Sequence, residues 1–239
     1  MSGDSPNGVK TTNGVNGLTT PSAQGSAPTT TETESDGSVD DLATEGGDDA
    51  GDESPLEPPP PAVAELVAAC LRFTASKYGV ALDGTPDTLS ILDQYVRDAR
   101  DTIRSQPESL DLVTGAVGAY LGEVVRQALG GYWFAEGDLE GWRLDMARVY
   151  LTFNPIGMAR EALLSEATEG WHAHLEMDLE DREEVDARLA ALGEMDEGDY
   201  FLPSTRYDVV ELVVAALHAR MVSRGLGDVV MTPDDYRKK

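Results

Sequence analysis

Apolar residues recur at helical spacing from Ala62 onward and only sporadically before it. Val63, Leu66, Val67, Cys70, Leu71, Thr74 and Tyr78 form one stripe, the period of an amphipathic helix. Asp83-Gly84-Thr85-Pro86 announces a second helix, with Thr85 as cap and Pro86 at the first helical position. Its inward positions are Leu89, Leu92, Tyr95, Val96, Ala99 and Ile103, and Gln106-Pro107 stops it. A third helix runs from Leu110 to Leu129, closed by Gly130-Gly131.

That third helix differs from its neighbours. Val113, Val117, Tyr120, Leu121, Val124 and Ala128 make a broad apolar side, as a central helix requires. The opposite side carries Asp111, Gly115, Gly118, Ala119, Gly122 and Arg126, with Glu123 beside it. Three interior glycines cost about 1 kcal/mol each relative to alanine. Close approach of another backbone, or of a ligand, is the physical compensation expected there.

After Gly131 the period shortens to two. Tyr132-Trp133-Phe134, Trp142 to Met146 and Val149 to Phe153 read as short strands, and Trp171 to Met177 as a further one. Asn154-Pro155 caps a helix from Ile156 to about Glu166. A charged surface helix follows, Leu179 to Leu192, ending at Gly193. Thr205-Arg206-Tyr207-Asp208 reads as a capping box opening a last long helix that buries Val209, Val210, Val213, Val214, Leu217 and Met221. Helices, then strands, then helices predict an α+β class, a single helix-rich domain over residues 62–236 with a small antiparallel sheet.

Residues 1–61 contain no aromatic side chain and are rich in Gly, Ser, Thr, Asp, Glu and Pro. Such a stretch cannot bury enough apolar area to offset the entropy of ordering, so a disordered acidic tail is expected, with Pro58–Pro61 as a semi-rigid spacer. The formal charge is −26. The first 60 residues hold 12 acidic residues against one basic, −11, which leaves −15 for the rest. That field repels phosphate backbones and anionic lipid, so neither nucleic acid nor membrane is expected as a partner. The single cysteine excludes an internal disulfide, and Cys70 reads as a small buried hydrophobe. MSGDSPNGVK lacks an export pattern and no stretch of about 18 apolar residues occurs, so a cytoplasmic protein is expected.

Motifs for a P-loop, a Rossmann turn, a nucleophile elbow, a zincin helix or an EF-hand do not occur. His172, His174 and Glu176 would share one strand face, a spacing able to chelate a metal. With no fourth ligand evident they are read as surface residues, and neither metal nor cofactor is assigned. Glu123 and Arg126 are charges in an apolar helix: an ion pair at i, i+3 is the plain reading, and an acid/base with an anion clamp the functional one. Tyr132, Trp133, Phe134 and Trp142 read as sheet-to-helix packing, or as a partner groove beside the glycine stripe.

Gly118-Ala119-Tyr120-Leu121-Gly122-Glu123-Val124-Val125, then Gly130-Gly131-Tyr132-Trp133, and later Asn154-Pro155, resemble a signature of small uncharacterised bacterial domains. The helix start Leu82 to Leu89 fits the same pattern, so the likeness covers about residues 80–165. It implies a bacterial source, no assigned activity, and importance of Tyr120, Gly122, Glu123 and Trp133 to the fold or to a site.

The expectation drawn from these features is a non-enzymatic protein-interaction or regulatory domain. Its binding residues would be Gly118, Tyr120, Gly122, Glu123, Arg126 and Trp133. Its partner would be another protein, in one version a basic one that the chain neutralises as an immunity or antitoxin-like protein does. The alternative is an enzyme without a motif, built around Glu123 and Arg126 lining an open pocket.

Overall fold

Leu110–Leu129 is the element on which the rest is assembled, and every side chain from Thr114 to Arg126 in it is buried. The computed structural model describes residues 57–191 and 196–237. Most of the expected tail, and Gly193 as a helix terminator, lie outside the described residues. The described residues all fall within one compact unit, Ala50–Lys239.

The helices are α1 (Pro61–Tyr78), α2 (Leu89–Ser105), α3 (Leu110–Leu129), α4 (Pro155–Leu164), α5 (Leu179–Ala190), α6 (Glu197–Tyr200), α7 (Pro203–Ser223) and α8 (Pro233–Tyr236). Four short strands, β1 (Gly131–Phe134), β2 (Arg143–Met146), β3 (Leu151–Phe153) and β4 (Glu176–Met177), form one antiparallel sheet in chain order. The α+β class with a small antiparallel sheet is thus the observed one. None of the described helices is long and apolar enough to cross a membrane.

Alternation sorts the sheet into two faces. Trp133, Leu144, Met146, Leu151 and Phe153 point one way, and Leu144, Met146, Leu151 and Phe153 join the core with Tyr120, Leu121 and Val124 of α3. Tyr132, Phe134, Arg143, Asp145, Thr152 and Glu176 point the other way. Asn154 turns the chain from β3 into α4, its carboxamide oxygen accepting from the N–H groups of Ile156 and Gly157. That is the cap expected of Asn154-Pro155.

Several local expectations change in three dimensions. Thr85 makes no side-chain cap. Asp83 instead accepts from the Thr85 amide and from the hydroxyls of Thr85 and Thr88, and a 3-10 turn, Pro86–Thr88, leads into α2. The capping box at Thr205 does not form, because α7 already starts at Pro203. Its first turn is capped from outside: Asp93 of α2 accepts from the Ser204 amide at 3.0 Å and from the Ser204 hydroxyl. Pro61 opens α1 and is not part of the spacer. Of Trp171 to Met177 only Glu176 and Met177 pair as a strand, since His172 takes a left-handed conformation at φ 47°.

The spacing of apolar residues assigns no element after the last long helix. Yet Tyr236 is buried, its hydroxyl 2.7 Å from the Met146 carbonyl and 2.8 Å from that of Val149. Its ring stacks on Tyr150, so α8 fastens the β2–β3 connection.

Candidate functional site

The charges singled out in α3 are sealed in. Glu123 and Arg126 are 4% and 6% exposed and pair through two contacts, Nε to Oε1 at 2.8 Å and Nη2 to Oε2 at 3.0 Å. The Trp133 indole N–H donates to Glu123 Oε1 at 2.6 Å and the Gln127 amide to Oε2 at 3.3 Å. Arg126 spends its remaining reach on the Glu57 carbonyl at 3.1 Å. A carboxylate that accepts four hydrogen bonds and a guanidinium paired to it, both sealed from solvent, are not presented to a substrate. The pair is the ion pair of the plain reading, and it lines none of the described concavities. Glu57 also ties the start of the proline run to the domain.

The glycine stripe is occupied as well. A methyl on Gly118 would stand 2.5 Å from the Ile156 Cα and 2.7 Å from the Pro155 carbonyl oxygen. On Gly122 it would overlap indole carbons of Trp133, and Pro155 Cγ would lie 3.0 Å away. Backbone approach is therefore what the glycines permit: the first turn of α4 and one tryptophan fill the groove. Tyr120 is buried and its hydroxyl accepts from the Gly84 amide at 2.9 Å, joining α3 to the turn before α2. Gly118, Gly122, Glu123, Arg126 and Trp133 meet in one packing junction, whereas Tyr120 leaves the other side of α3 for the turn before α2.

One of the open concavities among the described residues lies on the opposite face of the sheet. Its lining includes Glu140, Trp142, Arg143, Thr152, Asn154, His172 and Glu176, around a volume of about 240 Å³. Asp145 and Thr152 are directly opposed across β2 and β3, and Thr152 and Glu176 across β3 and β4. Three polar side chains thus stand in one row. The Thr152 hydroxyl donates to Asp145 Oδ1 at 2.6 Å, and Arg143 Nε lies 3.1 Å from the same oxygen. The Arg143 guanidinium sits 4.1 Å over the Phe134 ring.

Burial pushes the Asp145 carboxyl above its ordinary range, opposed by the Thr152 hydrogen bond and by Arg143. A desolvated carboxylate among polar neighbours at a cleft is a familiar mark of a functional site. Sequence reasoning missed this row. Its signal was present in the alternation, because Arg143 and Asp145 interrupt Trp142-Leu144-Met146, and Thr152 separates Leu151 from Phe153.

At the rim of the cleft His172, His174 and Glu176 all point to solvent while Ala173 between them is buried. The alternation expected of a strand survives here although only Glu176 and Met177 pair as one. His174 Nε2 lies 3.2 Å and His172 Nδ1 3.7 Å from Glu176 Oε1.

Cys70 is fully buried and its thiol is pushed up to about 12 by desolvation, the inert hydrophobe expected.

Residues 41–141 match a family of unknown function, DUF6278. The chain is similar to that family over α1, α2, α3 and β1, which include Tyr120, Gly122, Glu123 and Trp133, and the family carries no assigned activity. The match ends before β2, so the polar row of the open face lies beyond it. Neither a curated protein nor a solved structure matches the chain.

Proposed function

We propose that this chain is a non-enzymatic protein-binding or regulatory domain, and that its partner presents basic side chains to the open face of the sheet. One observation carries the reading. Glu140 and Glu176 stand exposed in the cleft, whereas Arg143, the cation among its described lining residues, is committed to Asp145 and Phe134. Exposed negative charge in a concave, partly apolar place attracts an ammonium or guanidinium group. The charge of −15 outside the first 60 residues adds a long-range pull in the same direction.

The narrower form of the proposal is neutralisation of a basic protein, in the manner of an immunity or antitoxin-like protein. The partner's own cationic site would then be what the cleft covers.

The test uses the full chain and its Glu140→Lys/Glu176→Lys variant as paired baits in lysate of the source organism. A basic protein held by the wild type at low salt, released at roughly 0.5 M salt and lost from the variant supports the reading. Retention by both baits, or by neither, counts against it.

A further inference from the structure

We propose that His172, His174 and Glu176 form a binding site for a borderline divalent transition-metal ion, with zinc as the type case. The proposal shares Glu176 with the protein-binding reading but is carried by a different observation. It rests on three donors that converge: one ligand atom from each residue lies within 4.8 Å of the other two.

The separations fit the ion. Tetrahedral zinc with bonds of about 2.1 Å to imidazole nitrogen and carboxylate oxygen sets neighbouring donor atoms about 3.4 Å apart. The two histidine-to-glutamate distances are 3.2 and 3.7 Å, on either side of that value. Both imidazoles are well exposed, at 63% and 66%, so rotation of free side chains can close what remains. Two imidazoles with one carboxylate suit zinc, copper or nickel better than calcium or magnesium, which prefer all-oxygen shells.

The backbone beneath the donors is held on both sides. The His172 carbonyl accepts from the Asn154 amide at 3.0 Å, Ala173 is buried, and Glu176 is paired to Thr152 in the sheet. His172 takes a positive φ that residues other than glycine rarely adopt. Because His172 and Glu176 also line the cleft, a bound ion would face it. Three protein ligands leave a fourth position for water or for a ligand held in the cleft.

The experiment is calorimetric titration of the full chain with zinc chloride in a non-chelating buffer, beside His172→Ala/His174→Ala, Glu176→Gln and His218→Ala. The wild type is expected to bind one equivalent. The double histidine variant should weaken that binding at least tenfold, with Glu176→Gln weakened to a lesser degree. His218→Ala should bind as the wild type does, since that ring lies against the Gly227 carbonyl and outside the cluster. A raised melting temperature with zinc in the wild type and its absence in the double variant would support the same site, because an ion that binds only the folded state stabilises it. The proposal is overturned if the wild type shows no stoichiometric binding. Equal binding by the double histidine variant also overturns it, for the ion then sits elsewhere on the acidic surface.

Discussion

Trp133 holds Glu123 with its indole nitrogen at 2.6 Å while the far edge of the same ring lies on Gly122. One side chain therefore satisfies a buried charge and fills the gap that a missing Cβ creates. The glycine and the glutamate one residue apart in α3 answer to a single partner on β1.

Gly118→Ala and Gly122→Ala should both destabilise the domain. Helix propensity favours alanine by about 1 kcal/mol, but overpacking costs about 1–3 kcal/mol. Gly118 should suffer more, because its obstacle is the Ile156 backbone, whereas at Gly122 it is the Trp133 ring. Gly115→Ala meets the flexible ends of Leu66 and Leu139 at 3.2 and 3.4 Å and should be close to neutral. Urea midpoints rank the three, and a rise in stability for Gly118→Ala would contradict the packing described.

Glu123→Gln should cost about 3–5 kcal/mol, since Arg126 then stays buried without a counter-charge. Removing both charges in Glu123→Met/Arg126→Met should cost less than the single change. Equilibrium unfolding of the two variants decides the matter. A double variant less stable than the single one would mean that the pair contributes beyond mutual neutralisation.

The acid limb of stability should carry two opposite signs. Burial raises the Asp145 carboxyl above 3.8, so folding disfavours its ionised form; the native state takes up protons first and that penalty is relieved as pH falls. Asp83 is lowered below 3.8, chiefly by the Thr85 hydroxyl, and its stabilisation is present above that value and lost on acidification. Between pH 7 and about 4 the melting temperature of the wild type should therefore gain on Asp145→Asn. Against Asp83→Asn it should lose ground only at still lower pH. A wild-type advantage over Asp145→Asn that shrinks on acidification would reverse the assignment.

Tyr236→Phe keeps the stack on Tyr150 but leaves the carbonyls of Met146 and Val149 without their hydroxyl donor. A cost of about 1–3 kcal/mol is expected. For a domain of this size each kcal/mol corresponds to about 2–4 °C, which differential scanning calorimetry resolves. An unchanged melting temperature would show that α8 is not a fastening.

Two truncations separate the acidic segment from its anchor. Removing residues 1–60 should lower the melting temperature relative to removing residues 1–56, because the longer cut takes away the Glu57 carbonyl that Arg126 uses. Equal melting temperatures would mean that solvent replaces that contact at no cost.

The sequence by itself determined the elements whose periods are long and whose ends are marked. The bounds of α3, the Asn154 cap of α4 and the inward faces of α1 and α2 follow from spacing and from local side-chain-to-backbone chemistry, which act within a few residues. It also pointed to a close neighbour along the glycine stripe of α3, which Gly118 and Gly122 have. Only the tertiary structure decided who that neighbour was. The first turn of α4 and Trp133 arrive from 38 and 11 residues along the chain (Gly118 to Ile156 and Gly122 to Trp133), and periodicity holds no information about such meetings. The same reason hid the Asp93 cap of α7, the Tyr236 fastening and the row Asp145, Thr152 and Glu176. Each of these joins side chains from different elements. Strand register and helix docking placed them together, and both are set by the whole core at once.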